Sequence, residues 1–296
     1  MHTLRSFATA LVPLLLAVLA TGCELLNRTP TGPSPVEPPA PAAPVHYTAI
    51  GASDANGVGS SAPCVPFDPC PNGTGYVPTL ARQLRTTREV TLTNLGIPAS
   101  VLSPAVQAVG RQHGRDVTGN FVDGQMPVVP SATTLVTIFG GGNDANVVGD
   151  AMEKGAAGND VAGYIERQAQ AFGADFDRLI TGVRGRAPNA FIIVINVPNM
   201  GALPYSARYP IEHRRVLQML SVAFSRQANR QARSGVVVLD AMCDPATYDP
   251  SHYSADGFHP NDAGYAHIAA RLAAIVNGGG STASSSCSAM TAVPSA

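Results

Sequence analysis

Five short apolar runs, each followed by a turn and then a helical pattern, constrain this chain more than any other feature. They are His46–Ile50, Val90–Asn94, Thr134–Phe139, Phe191–Val197 and Val236–Asp240. β-Branched residues dominate them, and Gly, Pro or Asn follows most, as expected of short buried strands. The clearest helical pattern between them is Val161, Tyr164, Ile165, Phe172, Phe176, Leu179, Ile180 and Val183, spaced by threes and fours. Asn159 or Asp160 is placed to cap it. A second pattern runs from about Ile211 to Ala232 and stops near Gly235, and a third runs from Asn261 to Val276. Strands that alternate with helices imply an α/β fold, with a mainly parallel sheet covered on both faces. In such sheets ligands bind beyond the carboxyl ends of the strands. With 45% hydrophobic and 13% charged residues, the 296-residue chain has material for such a core.

The ends are different in kind. Residues 1–22 read as an export signal: Arg5, an apolar run from Leu11 to Leu19, then small residues. That run is shorter than the ~20 residues a membrane-spanning helix needs. Leu19-Ala20-Thr21-Gly22-Cys23 resembles the bacterial lipoprotein cleavage box, in which Cys23 becomes the lipidated first residue. This implies a membrane anchor in the cell envelope. Glu24 after the cysteine matches the enterobacterial pattern for the outer membrane. If Cys23 is instead a bystander to ordinary cleavage, the chain is secreted. Residues 23–44 contain seven prolines and form an extended tether. The expected domain covers 45–276, and the Gly/Ser/Ala-rich tail 277–296 is expected to be loose. Cys64, Cys70, Cys243 and Cys287 suit two disulfides in an exported chain. Cys64 with Cys70 is the local choice, which leaves Cys243 with Cys287 to pin the tail. No spacing reads as a metal site. The 19 basic and 20 acidic residues give a net charge of -1, and no basic face for nucleic acid.

The segments that succeed the strands are chemically suggestive. Ser53, in Gly51-Ala52-Ser53-Asp54, sits on a turn after the first strand and can present its hydroxyl to a cleft. Turn serines that bond their own backbone are common, so this signal is weak alone. After the third strand, Gly140-Gly141-Gly142-Asn143-Asp144 lets backbone approach a ligand and offers an amide donor. It is not a P-loop, since no Gly-Lys-Ser/Thr follows. After the fifth, Asp256 stands three residues before His259, a spacing that lets a carboxylate orient the imidazole. Pro260 suits the start of the next helix. Asp249 and His252 have the same spacing but no helix start behind them, and rank second.

Taken together, Ser53, the Gly-Gly-Asn-Asp run and Asp256-x-x-His259-Pro260 resemble the SGNH (GDSL-type) hydrolase superfamily, over about 46–276. The resemblance implies a three-layer α/β/α flavodoxin-like sandwich with five parallel strands. It also implies roles: Ser53 as nucleophile, His259 as base, Asp256 as its partner. An oxyanion hole would come from the N–H of Ser53, the amide of Asn143 and a backbone N–H of the second block. There the family's glycine falls at Ala99, with Gly96 the nearby glycine. The first block departs from the family: Gly-Ala-Ser-Asp stands for Gly-Asp-Ser-Leu. Gly51 to Ala55 also nearly fits the elbow of α/β-hydrolases, but there the serine follows several strands.

The expected reaction is ester hydrolysis through an acyl-serine, with no metal or organic cofactor. Residues 198–210 and the Cys64–Cys70 loop are placed to wall the cleft. A lipid, glycan or other small-molecule ester and a monomer are expected. An acyltransferase, a carbohydrate O-deacetylase and a non-catalytic surface lipoprotein are the alternatives.

Overall fold

The computed structural model describes residues 43–68 and 70–294. The expected signal, Cys23 and most of the tether lie outside the described residues. Five strands, β1 (Val45–Gly51), β2 (Val90–Asn94), β3 (Leu135–Phe139), β4 (Phe191–Ile195) and β5 (Val236–Leu239), form one sheet in the order β2-β1-β3-β4-β5. Every neighbouring pair is parallel. The helices are α1 (Tyr76–Arg85), α2 (Pro104–Gln112), α3 (Gly142–Glu153), α4 (Val161–Arg186), α5 (Ile211–Asn229) and α6 (Asp262–Val276).

The strands carry apolar residues toward both faces because successive side chains point to opposite sides. Ile50, Ile138, Val194 and Val238 share one row of the register and pack under α2 to α5. Ala49 and Ile193, one residue earlier, face α1 and α6 instead. The result is the three-layer α/β/α sandwich that the alternation of elements and the resemblance implied. Between α4 and α5, Phe172 stacks on Phe224 with ring centroids 4.5 Å apart. Asp160 supplies the α4 cap, accepting the N–H of Gly163.

Two details differ from the expectations. The helix α5 ends at Asn229, and Gly235 (φ 69°) is not its terminal residue. It serves the turn in which Arg233 and Val236 exchange backbone hydrogen bonds ahead of β5. The second correction concerns the tail, which is not loose. Its small residues lie along the edge of the domain and bond to it through backbone. Ser284 N–H donates to Asp240, Asn199 Nδ2 donates to Ala289 O, and Val293 N–H donates to Gln218. Met290 and Val293 are buried. The Cys243–Cys287 disulfide closes this arrangement, and Cys64–Cys70 is also formed.

Candidate active site

Ser53 stands on the tight turn that ends β1. The turn needs Gly51: a Cβ there would lie 2.8 Å from Ala55 Cβ and 3.2 Å from Phe139 O. A buried amide fastens it. Gln125 Nε2 donates to Gly51 O and Gly51 N–H donates to Gln125 Oε1, both at 2.9 Å.

His259 reaches the same place from the other end of the chain. Its Nε2 is 2.9 Å from Ser53 Oγ and its Nδ1 is 2.6 Å from Asp256 Oδ2. The other carboxylate oxygen of Asp256 accepts from the N–H groups of Phe258 and His259 and from the Ser254 hydroxyl. Burial works against the charge of Asp256, but the hydrogen bonds from His259, Phe258 and Ser254 outweigh it and bring its carboxyl down to about 2. The loop is braced from both sides. Ser254 N–H donates to His259 O, and Asn261 caps α6 while its amide donates to Ser251 O and Tyr253 O. Fixing Nδ1–H on a carboxylate leaves Nε2 of the neutral ring as an acceptor aimed at the serine hydroxyl.

The competing pair is not assembled. Asp249 accepts from the N–H and hydroxyl of Ser251, while His252 Nδ1 lies 2.9 Å from Ala246 O.

The second block separates its two candidates. The Gly96 N–H donates to Asn94 Oδ1 (3.1 Å) and Gly96 is buried, so it has no N–H to offer a substrate. The expectation that Gly96 serves as a donor is therefore corrected. Ala99 is exposed, and among the described residues neither its N–H nor that of Ser53 is bonded to the protein. Ala99 adopts φ 62°, a conformation in which glycine is at ease and alanine is strained. Asn143, in the first turn of α3, donates one amide N–H to Ser100 O (2.9 Å), beside Ala99, and keeps the other. Asp144 locks these two segments together. It is fully buried and accepts the N–H groups of Leu102 and Ser103. Burial raises its carboxyl to about 6 against the pull of those N–H groups.

Sequence reasoning misses Gln125 and Asp144. Gln125 carries no local signal, and Asp144 is marked only by its place after Asn143. A cavity opens beside Ser53, lined by Ala52, Asp54, Ser100, Asn143, Met200 and Leu203 among others. The Cys64–Cys70 loop does not line it; the expected segment 198–210 does.

Residues 49–267 match the model of the GDSL-like lipase/acylhydrolase family. No curated protein matches the chain by sequence. Among solved structures it is similar to a lipase from a goat rumen metagenome, at 18% identity and a TM-score of 0.53 over 78% of this chain and 96% of that one. It is also similar to an extracellular lipase of Streptomyces rimosus, at 18% identity and 0.51 over 77% and 98%. At that identity the likeness concerns the fold, whereas the family match spans most of the chain. The chain belongs to the GDSL-like lipase/acylhydrolase family of hydrolytic enzymes.

Proposed function

We propose that the chain is a serine ester hydrolase that works through an acyl-Ser53 intermediate. The observation that carries this is the unbroken hydrogen-bonded line from Asp256 through His259 to Ser53. His259 Nε2 takes the Ser53 proton as Oγ attacks the ester carbonyl. The negative oxygen that develops is held by the N–H groups of Ser53 and Ala99 and by the free amide N–H of Asn143. Each such donor is worth on the order of 10²–10³ in rate. His259 then returns the proton to the leaving alcohol, and the ester C–O bond breaks. A water, deprotonated by the same nitrogen, attacks the acyl-serine; the acyl C–Oγ bond breaks, His259 returns the proton to Ser53 Oγ, and the acid leaves. Asp256 stays ionised throughout and stabilises the imidazolium.

We further propose that the enzyme acts as a monomer tethered to the cell envelope through lipidated Cys23. The cleavage box and the proline-rich stretch support this. Incorporation of labelled palmitate into the wild-type chain, absent in Cys23→Ser, tests it.

The catalytic reading is tested with 4-nitrophenyl esters of two to sixteen carbons, using the full chain and its Ser53→Ala variant. Turnover lost in the variant is expected. Turnover that survives would assign the activity elsewhere.

A further inference from the structure

The Cys64–Cys70 loop does not line the cavity, yet it stands at the same end of the sheet as Ser53. It belongs to the connection that leaves the carboxyl end of β1 and returns through α1. Its root is fastened close to the catalytic residues. The Cys64 N–H donates to Asn56 O (2.7 Å), three residues after Ser53. Ser61 donates its N–H and its hydroxyl to Asp262 (2.8 and 2.6 Å), three residues after His259. Gly59 lies against the histidine itself, since a Cβ there would stand 2.7 Å from His259 Cβ. On the far side Arg82 Nη1 donates to Pro71 O and Gly73 O (2.9 and 2.7 Å), so both ends of the loop are held.

The tip turns apolar side chains outward. Val65 and Phe67 are 63% and 62% exposed, the highest values for large hydrophobic side chains among the described residues. Phe67 takes φ 65°, a conformation costly for a bulky residue, and its ring stands mostly in solvent. The backbone of the loop suits an apolar medium, where an unpaired N–H is penalised. Cys64, Asp68 and Cys70 donate theirs to Asn56 O, Val65 O and Asp68 Oδ1, and Pro66 has none. Among the described residues of the loop only Val65 and Phe67 keep an unbonded N–H. The disulfide fixes this shape before any contact, which lowers the ordering cost of binding.

What covers such a tip follows from its size and charge. The two side chains offer on the order of 200 Å² of apolar area, whereas a stable protein interface takes ~800 Å² from each partner. A lipid surface needs no matching contour and accepts a small protruding wedge. Asp68 is the loop's single charge and is negative, which favours a zwitterionic lipid over an anionic one. We propose that Val65 and Phe67 seat the active-site end of the chain on a zwitterionic lipid surface and, resting on the ester hydrolase reading, that esters held in that surface are its substrate class. An ester dissolved in the lipid is thereby brought to the end of the molecule where Ser53 and His259 meet.

The chain contains no tryptophan, so Phe67→Trp introduces a reporter at the tip and nowhere else. It is placed in the full chain carrying Cys23→Ser, so that no lipid anchor takes part. With vesicles of phosphatidylcholine its emission is expected to move to shorter wavelength. Phosphatidylcholine with dibrominated acyl chains should quench it about twofold or more, as for a side chain at the acyl boundary. The shift should survive raised salt, since apolar burial carries it. The companion measurement is turnover by Val65→Ser/Phe67→Ser. That double variant should cleave 4-nitrophenyl hexadecanoate held in the same vesicles about tenfold or more slowly than its parent, and soluble 4-nitrophenyl acetate at the parent's rate. Emission unmoved by vesicles, whether or not the chain sediments with them, overturns the docking surface. A shift seen only with phosphatidylglycerol vesicles and abolished by salt overturns it too. So does a dimer formed without lipid and lost in the double variant, which would assign the tip to a second copy. Equal loss on both esters, or loss on neither, overturns lipid-borne esters as the substrate class. The emission needs no turnover: if the parent hydrolyses neither ester, the hydrolase reading fails and the docking surface is still decided.

Discussion

Gln125 holds both polar groups of the Gly51 peptide backbone, donating to its carbonyl and accepting from its N–H, each at 2.9 Å. All of these atoms are buried. The strand β1 therefore ends in a turn whose position is set from outside the strand, one residue before Ala52 and two before Ser53. Gln125→Ala would leave the Gly51 N–H unpaired in the interior, while Gly51 O keeps the Ile97 N–H (3.1 Å). The expected cost is about 1–3 kcal/mol. Thermal unfolding should show a fall of roughly 3–10 °C. The turnover number should drop along with it, because the nucleophile loses its fixed geometry. A variant as stable and as active as the wild type would show that the turn holds itself.

Ala99 and Gly96 make opposite predictions. At Ala99, φ 62° favours glycine and penalises a β-branched side chain. Glycine, alanine and valine at 99 should therefore fall in that order in kcat/KM, with valine lower by about tenfold or more as the N–H turns away. At Gly96 a Cβ would lie 2.7 Å from Ala55 Cβ and 2.8 Å from Asn56 Oδ1. Gly96→Ala should lower the unfolding temperature, since both neighbours are packed. A kinetic series together with thermal melts checks both positions. Valine at 99 as fast as glycine would remove Ala99 from the oxyanion hole.

Asp256 links the site to acid stability. Its carboxyl is held at about 2 in the fold, against about 3.9 in an unfolded chain. A depressed acid stabilises the fold above its unfolded value and ceases to do so as pH falls through its folded value. The stability difference between wild type and Asp256→Asn should thus be constant above about pH 5 and shrink between about pH 4 and 2. Denaturant unfolding across that range measures it. A difference that grows toward low pH would contradict the assignment. In turnover, Asp256→Asn should lose about 10³–10⁴, since the amide favours the wrong tautomer of His259.

The sheet is readable in the sequence because its strands are buried on two faces and so appear as continuous β-branched runs, as in Phe191–Ile195. Helix α3 is not, because it opens on Gly142 after two more glycines, and such a run reads as a turn. The Asp256–His259 pair is legible because three residues span one turn. Its connection to Ser53, 206 residues away, needs the resemblance or the fold. The choice between Ala99 and Gly96 depends on where a single N–H points, and Gly96 gives its own to Asn94. The tail misleads for a compositional reason: serine, glycine and alanine offer little apolar surface, yet backbone groups of Ser284, Ala289 and Val293 pair with Asp240, Asn199 and Gln218.

Activation of Ser53 by His259 can be read from a covalent adduct. The full chain is treated with a fluorophosphonate ester, digested, and its peptides are weighed. One phosphonylated residue, Ser53, is expected, with labelling slowed by about 10³ or more in His259→Ala and little changed in His252→Ala. A label on any other residue, or equal loss of labelling in the two histidine variants, would contradict this role for His259.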